Sequence, residues 1–378
     1  MKKIEMVDLS GQYEAIKTEI QAAIDEVLTT AHFIGGPVVT RFQQSFEAYL
    51  DVKHVIPCAN GTDALQIALM ALGLKPGDEV ITPSFTYMAT TEVIALLGLK
   101  PVFVDVEPHT FCIDPTKIEQ AITPQTKAIV PVHLYGQAAD MESIMRLAKK
   151  HQLAVVEDNA QGIGGDYYFS DGTVAKLGTI GDIGCTSFFP SKNLGCYGDG
   201  GAMYTNNSEL AERLKMIANH GQKQKYHHEI VGCNSRLDAI QAAVLNVKLP
   251  HLENYIAARQ AVAARYDELL GNLSHIIIPK RNTYSNHVFH QYTIQLVGLN
   301  RDELQTYLAE KGIPSMIYYP KPAHKQPMFA AFQLGELDLP VTESLTASVI
   351  SLPIHTEMTA EQQQLICTEV LNFISINK

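Results

Sequence analysis

A chain of 378 residues with a formal net charge of −11 is long enough for two domains and too acidic for a general nucleic-acid binder. Its 46% hydrophobic and 18% charged residues match an ordinary soluble enzyme rather than a disordered chain, and no apolar run reaches the roughly 18 residues a membrane span requires. Six cysteines with no Cys-x-x-Cys pair and fourteen histidines with no His-Glu-x-x-His helix indicate reduced thiols and no metal site. The start, Met-Lys-Lys-Ile-Glu-Met-Val-Asp, has no apolar core, so no signal peptide is visible and a cytoplasmic protein is expected.

Ile16, Ile20, Ala23, Ile24 and Leu28 recur at helical intervals over residues 13–29, and Gly35-Gly36-Pro37 breaks the chain before a second helix at about 38–50. A β-prone run at 55–59 leads through Asn60-Gly61-Thr62-Asp63 into an apolar helix at 64–72. The free N–H groups and partial positive charge of that helix start suit a phosphate, although Asn60 and Thr62 could equally serve only as caps. Strand and helix then alternate: strand 79–82, helix 87–97, strand 101–105, a short helix near 116–121, strand 128–132, helix 141–151 and strand 153–156. Nearly continuous apolar strands separated by helices predict a mostly parallel sheet covered on both faces. Ligands of such sheets gather at the carboxyl ends of strands, where Tyr87, His133, Asp158 and Gln161 fall.

Asp171-Gly172 predicts a β-hairpin within residues 166–183. The run Cys185-Thr-Ser-Phe-Phe189 reads as a buried strand stopped by Pro190, after which Lys192 sits in a turn with Gly195, Gly198, Gly200 and Gly201. A loop lysine is ordinarily solvated. Held among apolar walls, however, it loses hydration of its ammonium, its pKa falls, and the neutral amine becomes a nucleophile toward a carbonyl. After a strand at 202–205 come a helix at 208–217, a polar, histidine-rich loop at 220–228, Asn234-Ser-Arg-Leu-Asp238, and a helix at 239–249 ended by Pro250. A long amphipathic helix at 252–270 and shorter strands and helices at 290–296, 301–311, 315–319 and 359–376 follow. The boundary is expected near Pro250, giving a large domain 1–250 and a small C-terminal domain 251–378, with the long helix as the hinge.

A carbonyl-reactive lysine, an acid at a strand end and a helix N-terminus preceded by Asn-Gly-Thr match what pyridoxal 5′-phosphate (PLP) needs. The aldehyde requires an amine, the pyridine nitrogen a carboxylate that keeps it protonated, and the phosphate N–H donors. The motifs Ala59-Asn-Gly-Thr-Asp-Ala-Leu65, Pro83-Ser-Phe-Thr-Tyr87, Val132-His-Leu-Tyr-Gly136, Glu157-Asp-Asn-Ala-Gln161, Ser187-Phe-Phe-Pro-Ser-Lys192 with the glycines after it, and Asn234-Ser-Arg-Leu-Asp238 run in order through nearly the whole chain. In these the sequence resembles the sugar-nucleotide aminotransferases of the DegT and StrS group. The resemblance implies the α/β type I aminotransferase fold, with a mostly parallel seven-stranded sheet between helices in the PLP-binding domain and a smaller C-terminal α+β domain.

It also implies roles. Lys192 would form the internal aldimine, Asp158 would pair with the pyridine nitrogen, Gln161 would hydrogen-bond the ring hydroxyl and Tyr87 would stack on the ring. Gly61, Thr62 and Ser187 would bind the phosphate, with Asn234 reaching in from the second subunit of a homodimer whose active sites are shared. Core packing is the competing role for Tyr87, and a satisfied strand hydroxyl for Ser187. The implied reaction is a ping-pong transamination: L-glutamate leaves its nitrogen on the cofactor, whose pyridoxamine form (PMP) then attacks a ketone of a nucleotide-linked sugar. Lys192 would carry the proton between the two carbons.

Lys223, His227, His228 and Arg236 supply positive groups for a diphosphate, while Tyr318 and Lys325 lie in a segment expected to close on the sugar. Through Phe188-Phe-Pro-Ser-Lys192, Tyr226-His-His228 and Lys325-Gln-Pro327, the chain is most similar to enzymes that aminate the 3-keto form of UDP-N-acetylglucosaminuronic acid, in surface polysaccharide or O-antigen biosynthesis. Tyr318, where those relatives often carry histidine, and the hairpin at Asp171-Gly172 depart from that pattern. A dTDP-linked 3-keto-6-deoxyhexose is the alternative substrate. Two other classes compete. A PLP-dependent sugar dehydratase would replace Lys192 by histidine, and a non-catalytic sugar-nucleotide sensor would bring a basic recognition helix that the sequence lacks.

Overall fold

The structure, a computed structural model, describes residues 3–332 and 334–377. Helix α1 (Leu9–Thr30) starts where Asp8 accepts a hydrogen bond from Gly11 N, and α2 (Gly36–Leu50) carries Pro37 in its first turn, where a missing N–H has no helical partner to lose. Strands and helices then alternate as β1 (His54–Cys58), α3 (Gly61–Ala71), β2 (Glu79–Pro83), α4 (Met88–Leu96), β3 (Lys100–Val104), α5 (Pro115–Ala121), β4 (Thr126–Ile129), α6 (Met141–His151) and β5 (Ala154–Asp158). A hairpin of β6 (Asp166–Tyr168) and β7 (Val174–Lys176) precedes β8 (Ile183–Ser187), β9 (Gly201–Thr205) and α7 (Ser208–Ala218). Thereafter come β10 (Gln222–Gln224), β11 (His227–His228), α8 (Ala239–Lys248), α9 (Leu252–Leu270), β12 (Ile276–Ile277), β13 (Tyr292–Leu296), α10 (Arg301–Glu310), α11 (Pro340–Ser348), β14 (Val349–Leu352) and α12 (Ala360–Ile376).

Seven strands form one sheet in the order β1-β9-β8-β5-β4-β2-β3. All run the same way except β9, which is antiparallel to both β1 and β8. β2 and β9 are buried at every position, as a sheet covered on both faces requires. Because β1, β8, β5, β4 and β2 share a direction, the residues that follow them share one edge. That edge therefore carries the start of α3, the turn with Lys192, Asp158, His133 and Tyr87.

Phe42 and Phe46, one helical turn apart on α2, are fully buried and meet the Phe188 ring edge-on at 5.4 and 5.6 Å. Burial of each such side chain contributes about 1.5–3 kcal/mol, and here it also fixes the residue after Ser187. A second core surrounds the antiparallel sheet β12-β13-β14, with Val262, Tyr266 and Leu270 of α9, Leu304 and Leu308 of α10, and Ile366, Val370 and Phe373 of α12. The front of α9, through Leu252 and Ile256, packs into the same core as α2.

Two expectations are corrected. Residues 315–319 form no strand and make a single bridge, Met316 to Ser351; Pro314 and Pro320 bracket them and lack the N–H groups a ladder needs. The helix expected at 239–249 ends as α8 at Lys248, and a 3-10 turn, Leu249–His251, joins it to α9. The polar loop at 220–228 folds into the hairpin β10–β11. At the hairpin predicted from Asp171-Gly172, Thr173 N and Oγ1 both donate to Asp171 Oδ1 at 2.9 and 2.7 Å and close the turn. Among the described residues no helix is long and apolar enough to cross a membrane.

Candidate active site

Ser187 ends β8 against the start of α3. A Cβ built on Gly61 would stand 2.7 Å from the Ser187 Cβ, so only glycine allows this approach of helix to strand. Asn60 caps α3 by accepting from Asp63 N at 2.8 Å, and Ser235 Oγ accepts from Ala59 N at 3.1 Å. Ser187 Oγ accepts from Phe189 N at 3.3 Å, which leaves the hydroxyl proton to donate elsewhere. The helix start, Gly61-Thr62, thus stands beside a serine hydroxyl, an arrangement of donors that suits a phosphate.

The turn after β8 is held from several sides. Lys192 N donates to Phe189 O at 2.9 Å, and Asn193 Nδ2 donates to Val288 O at 3.0 Å. From α8, Gln241 Oε1 accepts from Tyr197 N at 2.8 Å, and the buried Lys248 donates to Gly195 O at 2.7 Å with its Nζ 5.0 Å from the Tyr197 ring centroid. Within this frame burial pushes the Lys192 amine down to about 8, with the charge of Asp158 acting the other way. The lysine is thus an amine within reach of its neutral form near physiological pH.

Asp158, at the end of β5, is 5% exposed. Its Oδ2 accepts from Thr90 Oγ1 at 2.7 Å and its Oδ1 from Ala160 N at 3.1 Å. Burial raises its pKa, while those two hydrogen bonds and the charge of Lys192 pull it back. Gln161 Oε1 accepts from Tyr135 N at 2.7 Å and its Nε2 donates to the Tyr319 hydroxyl at 3.0 Å. The Tyr135 hydroxyl donates to the Tyr318 carbonyl. Tyr319 lies between Phe85 and Tyr87, each 6.1 Å away between ring centroids. Tyr87 itself is 58% exposed at the start of α4, which removes the core-packing role weighed for it.

Beneath this layer, the fully buried His133 accepts Ala139 N on Nδ1 at 3.2 Å, so its Nε2 carries the proton and donates to Glu157 Oε2 at 2.9 Å. Glu157 also accepts Gly178 N at 2.9 Å, Ile180 N at 2.7 Å and Gly181 N at 2.5 Å. That set of donors compensates a carboxylate with no exposure to water.

Within one chain, the groups expected at the diphosphate and Asn234 lie on the β10–β11 hairpin and in the segment that follows it. Lys223 is paired with Glu212 of α7, His228 Nδ1 lies 2.8 Å from His220 O, and Asn234 bridges Asn219. His227, His228, Asn234 and Arg236 are exposed, and Lys223 and Arg236 line a cleft with Gln43, His54 and Lys215. The β10–β11 hairpin carries Lys223, His227 and His228 out beside α7. Lys325 pairs with Glu343 at 2.6 Å, next to His324, whose Nδ1 lies 2.7 Å from Ser84 Oγ just after β2. Tyr318 is therefore at the site, whereas Lys325 is joined to its edge through its neighbour.

The chain matches the DegT/DnrJ/EryC1/StrS aminotransferase family over residues 14–371. It belongs to that family. Over 98% of both chains it is 49% identical to a protein of Geobacillus stearothermophilus named pleiotropic regulatory protein. It is 46% identical to UDP-2-acetamido-2-deoxy-3-oxo-D-glucuronate aminotransferase of Pseudomonas aeruginosa, covering 98% of this chain and 100% of that one. The fold superposes on Bacillus subtilis NtdA with bound PMP at a TM-score of 0.88 and 37% identity, covering 95% of this chain and 82% of that one.

This member of the family is a sugar aminotransferase that uses PLP and PMP. Its residues fit the cofactor: a glycine cradle that a methyl group would fill, a desolvated amine and a buried carboxylate lie along one sheet edge. Sequence reasoning missed Thr90, Tyr135, Tyr319 and the Ser84–His324 contact. Tyr135 and Tyr319 adjoin residues already singled out, and Thr90-Thr91 interrupt an otherwise apolar helix face, a signal that was readable.

Proposed function

We propose that this aminotransferase transfers the amino group of L-glutamate to the 3-keto form of UDP-N-acetylglucosaminuronic acid, in surface polysaccharide or O-antigen biosynthesis. The observation that carries the substrate is the end-to-end 46% identity with the Pseudomonas aeruginosa enzyme named for it. When bound, the cofactor supplies an aldehyde that takes up the amino group and a ring that withdraws electrons. Lys192 removes and returns the proton at the reacting carbons of donor and acceptor, and Asp158 accepts the ring N–H. Gln161 orients the ring hydroxyl, Tyr87 covers a ring face, and the Gly61 and Thr62 N–H groups with the Ser187 hydroxyl hold the phosphate.

The enzyme acts as a homodimer in the cytoplasm. Asn234 of the second subunit completes the phosphate site, and Lys223, His227, His228 and Arg236 of that subunit meet the diphosphate, which accounts for their exposure in a single chain. Tyr318 and Lys325 lie on the sugar side. Residues 1–250 form the cofactor domain and 251–378 the small domain, a division supported by the separate core around β12–β14.

A panel of enzymatically made keto sugars with glutamate tests the reading. Preferred turnover of the uronic acid is expected, and equal turnover of a dTDP-linked 3-keto-6-deoxyhexose would overturn the preference. The name of the Geobacillus relative raises a regulatory sensor as a second reading. Bleaching of the visible cofactor absorbance by glutamate, lost in Lys192→Ala, separates an enzyme from a sensor.

A further inference from the structure

Thr90 stands in the first turn of α4, in a helix that follows the exposed Tyr87. A helical threonine usually returns its hydroxyl to a carbonyl three or four residues back, and the neighbouring Thr91 does so, donating to Met88 O at 3.1 Å. Thr90 departs from that habit. Its Oγ1 lies 2.7 Å from Asp158 Oδ2 and 3.0 Å from Thr86 Oγ1. An ionised carboxylate can only accept, so the direction of the chain is set: Thr86 donates to Thr90, and Thr90 donates to Asp158.

Thr86, Thr90 and Asp158 are 2%, 1% and 5% exposed, so water does not compete for these bonds. The main chain of Asp158 is pinned as well, by Asp158 N to Pro131 O at 2.9 Å and His133 N to Asp158 O at 3.0 Å. With Ala160 N on Oδ1 and Thr90 on Oδ2, each carboxylate oxygen has one donor and keeps capacity for another. The plane of the carboxylate is thereby fixed from two sides.

We propose that Thr90, oriented by Thr86, is a positioning residue that aims the Asp158 carboxylate at the ring nitrogen of the cofactor. The proposal rests on Asp158 being the partner of that nitrogen.

The test compares Thr90→Val, which removes the hydroxyl at nearly constant shape, with Thr90→Ser, which keeps it, and with Asp158→Asn. Two readouts are taken on the holoenzymes: the dissociation constant of PMP, from its release on dilution, and the single-turnover rate of absorbance change with glutamate. Thr90→Val is expected to weaken PMP binding about tenfold and slow the half-reaction about 10- to 100-fold, the scale on which partners that orient a reactive group act. Thr90→Ser is expected to stay within about threefold of the parent on both. Parent-like behaviour of Thr90→Val would overturn the proposal, as would equal impairment of the valine and serine variants, which marks a packing role. If Asp158→Asn is itself parent-like, the role of Asp158 falls and the proposal with it; if only Asp158→Asn is impaired, the failure belongs to Thr90 alone.

Discussion

The Cα of Gly61 lies so close to Ser187 that an added methyl group would sit 2.7 Å from the Ser187 Cβ. Gly61→Ala must therefore push the start of α3 away from β8, at a cost of about 1–3 kcal/mol for overpacking. If the displaced N–H groups hold the phosphate as proposed, the dissociation constant for PMP should rise about tenfold or more. Removing the obstructing side chain in Gly61→Ala/Ser187→Gly should restore the helix position, read as recovered thermal stability, while leaving the phosphate without its hydroxyl. Titration of both variants with PMP separates the two effects.

The depressed pKa of Lys192 sets a pH profile. Below about 8 the amine is protonated and cannot attack a carbonyl, and above it the neutral form dominates. The rate at which cofactor-free protein takes up PLP covalently should climb about tenfold per pH unit below that value and level off above it. Stopped-flow absorbance measures the profile directly. Asp158→Asn removes the negative charge that opposes the depression and should move the midpoint lower.

Glu157 is a buried acceptor for three main-chain N–H groups and His133. Truncation in Glu157→Ala leaves those donors unpaired in a dry interior and should cost about 3–5 kcal/mol, as breaking a buried pair does. Glu157→Gln keeps acceptor capacity on one oxygen only and should cost less. Denaturant midpoints at constant slope check both.

A shared active site makes a prediction about mixtures. Lys192→Ala and Asn234→Ala chains are each expected to be inactive alone. Combined in equal amounts after dissociation and reassociation, about a quarter of the sites should regain both residues, one from each chain of a mixed dimer. No recovery would show that Asn234 acts within its own chain or not at all.

Much of this was readable from the chain alone because the signals were local. The Asn60-Gly61-Thr62 helix start, the placing of Asp158 at the close of a strand and the Asp171-Gly172 turn each follow from residue type and spacing over a few positions, although the strand read to Phe189 stops at Ser187. What escaped depends on contacts between distant segments. The hydroxyl of Thr90 finds Asp158 across 68 positions, and Gln161 finds Tyr319 across 158. The charged segment at 220–228 was read as a loop, whereas β10 and β11 pair there as a hairpin on which Lys223 meets Glu212.

The stitching of Ser84 to His324 bears on how such enzymes can diverge. Ser84 Oγ meets the His324 ring and also accepts His324 N at 3.2 Å, while Ser84 O accepts Ala323 N at 2.9 Å. Residues 240 positions apart thus form one hydrogen-bonded unit. A chimera that swaps the segment carrying Tyr318 and Lys325 between relatives, but leaves the strand end behind, would seat a foreign turn on an unmatched serine. Exchanging the two pieces together is the smaller evolutionary step, even though it is the longer one in sequence.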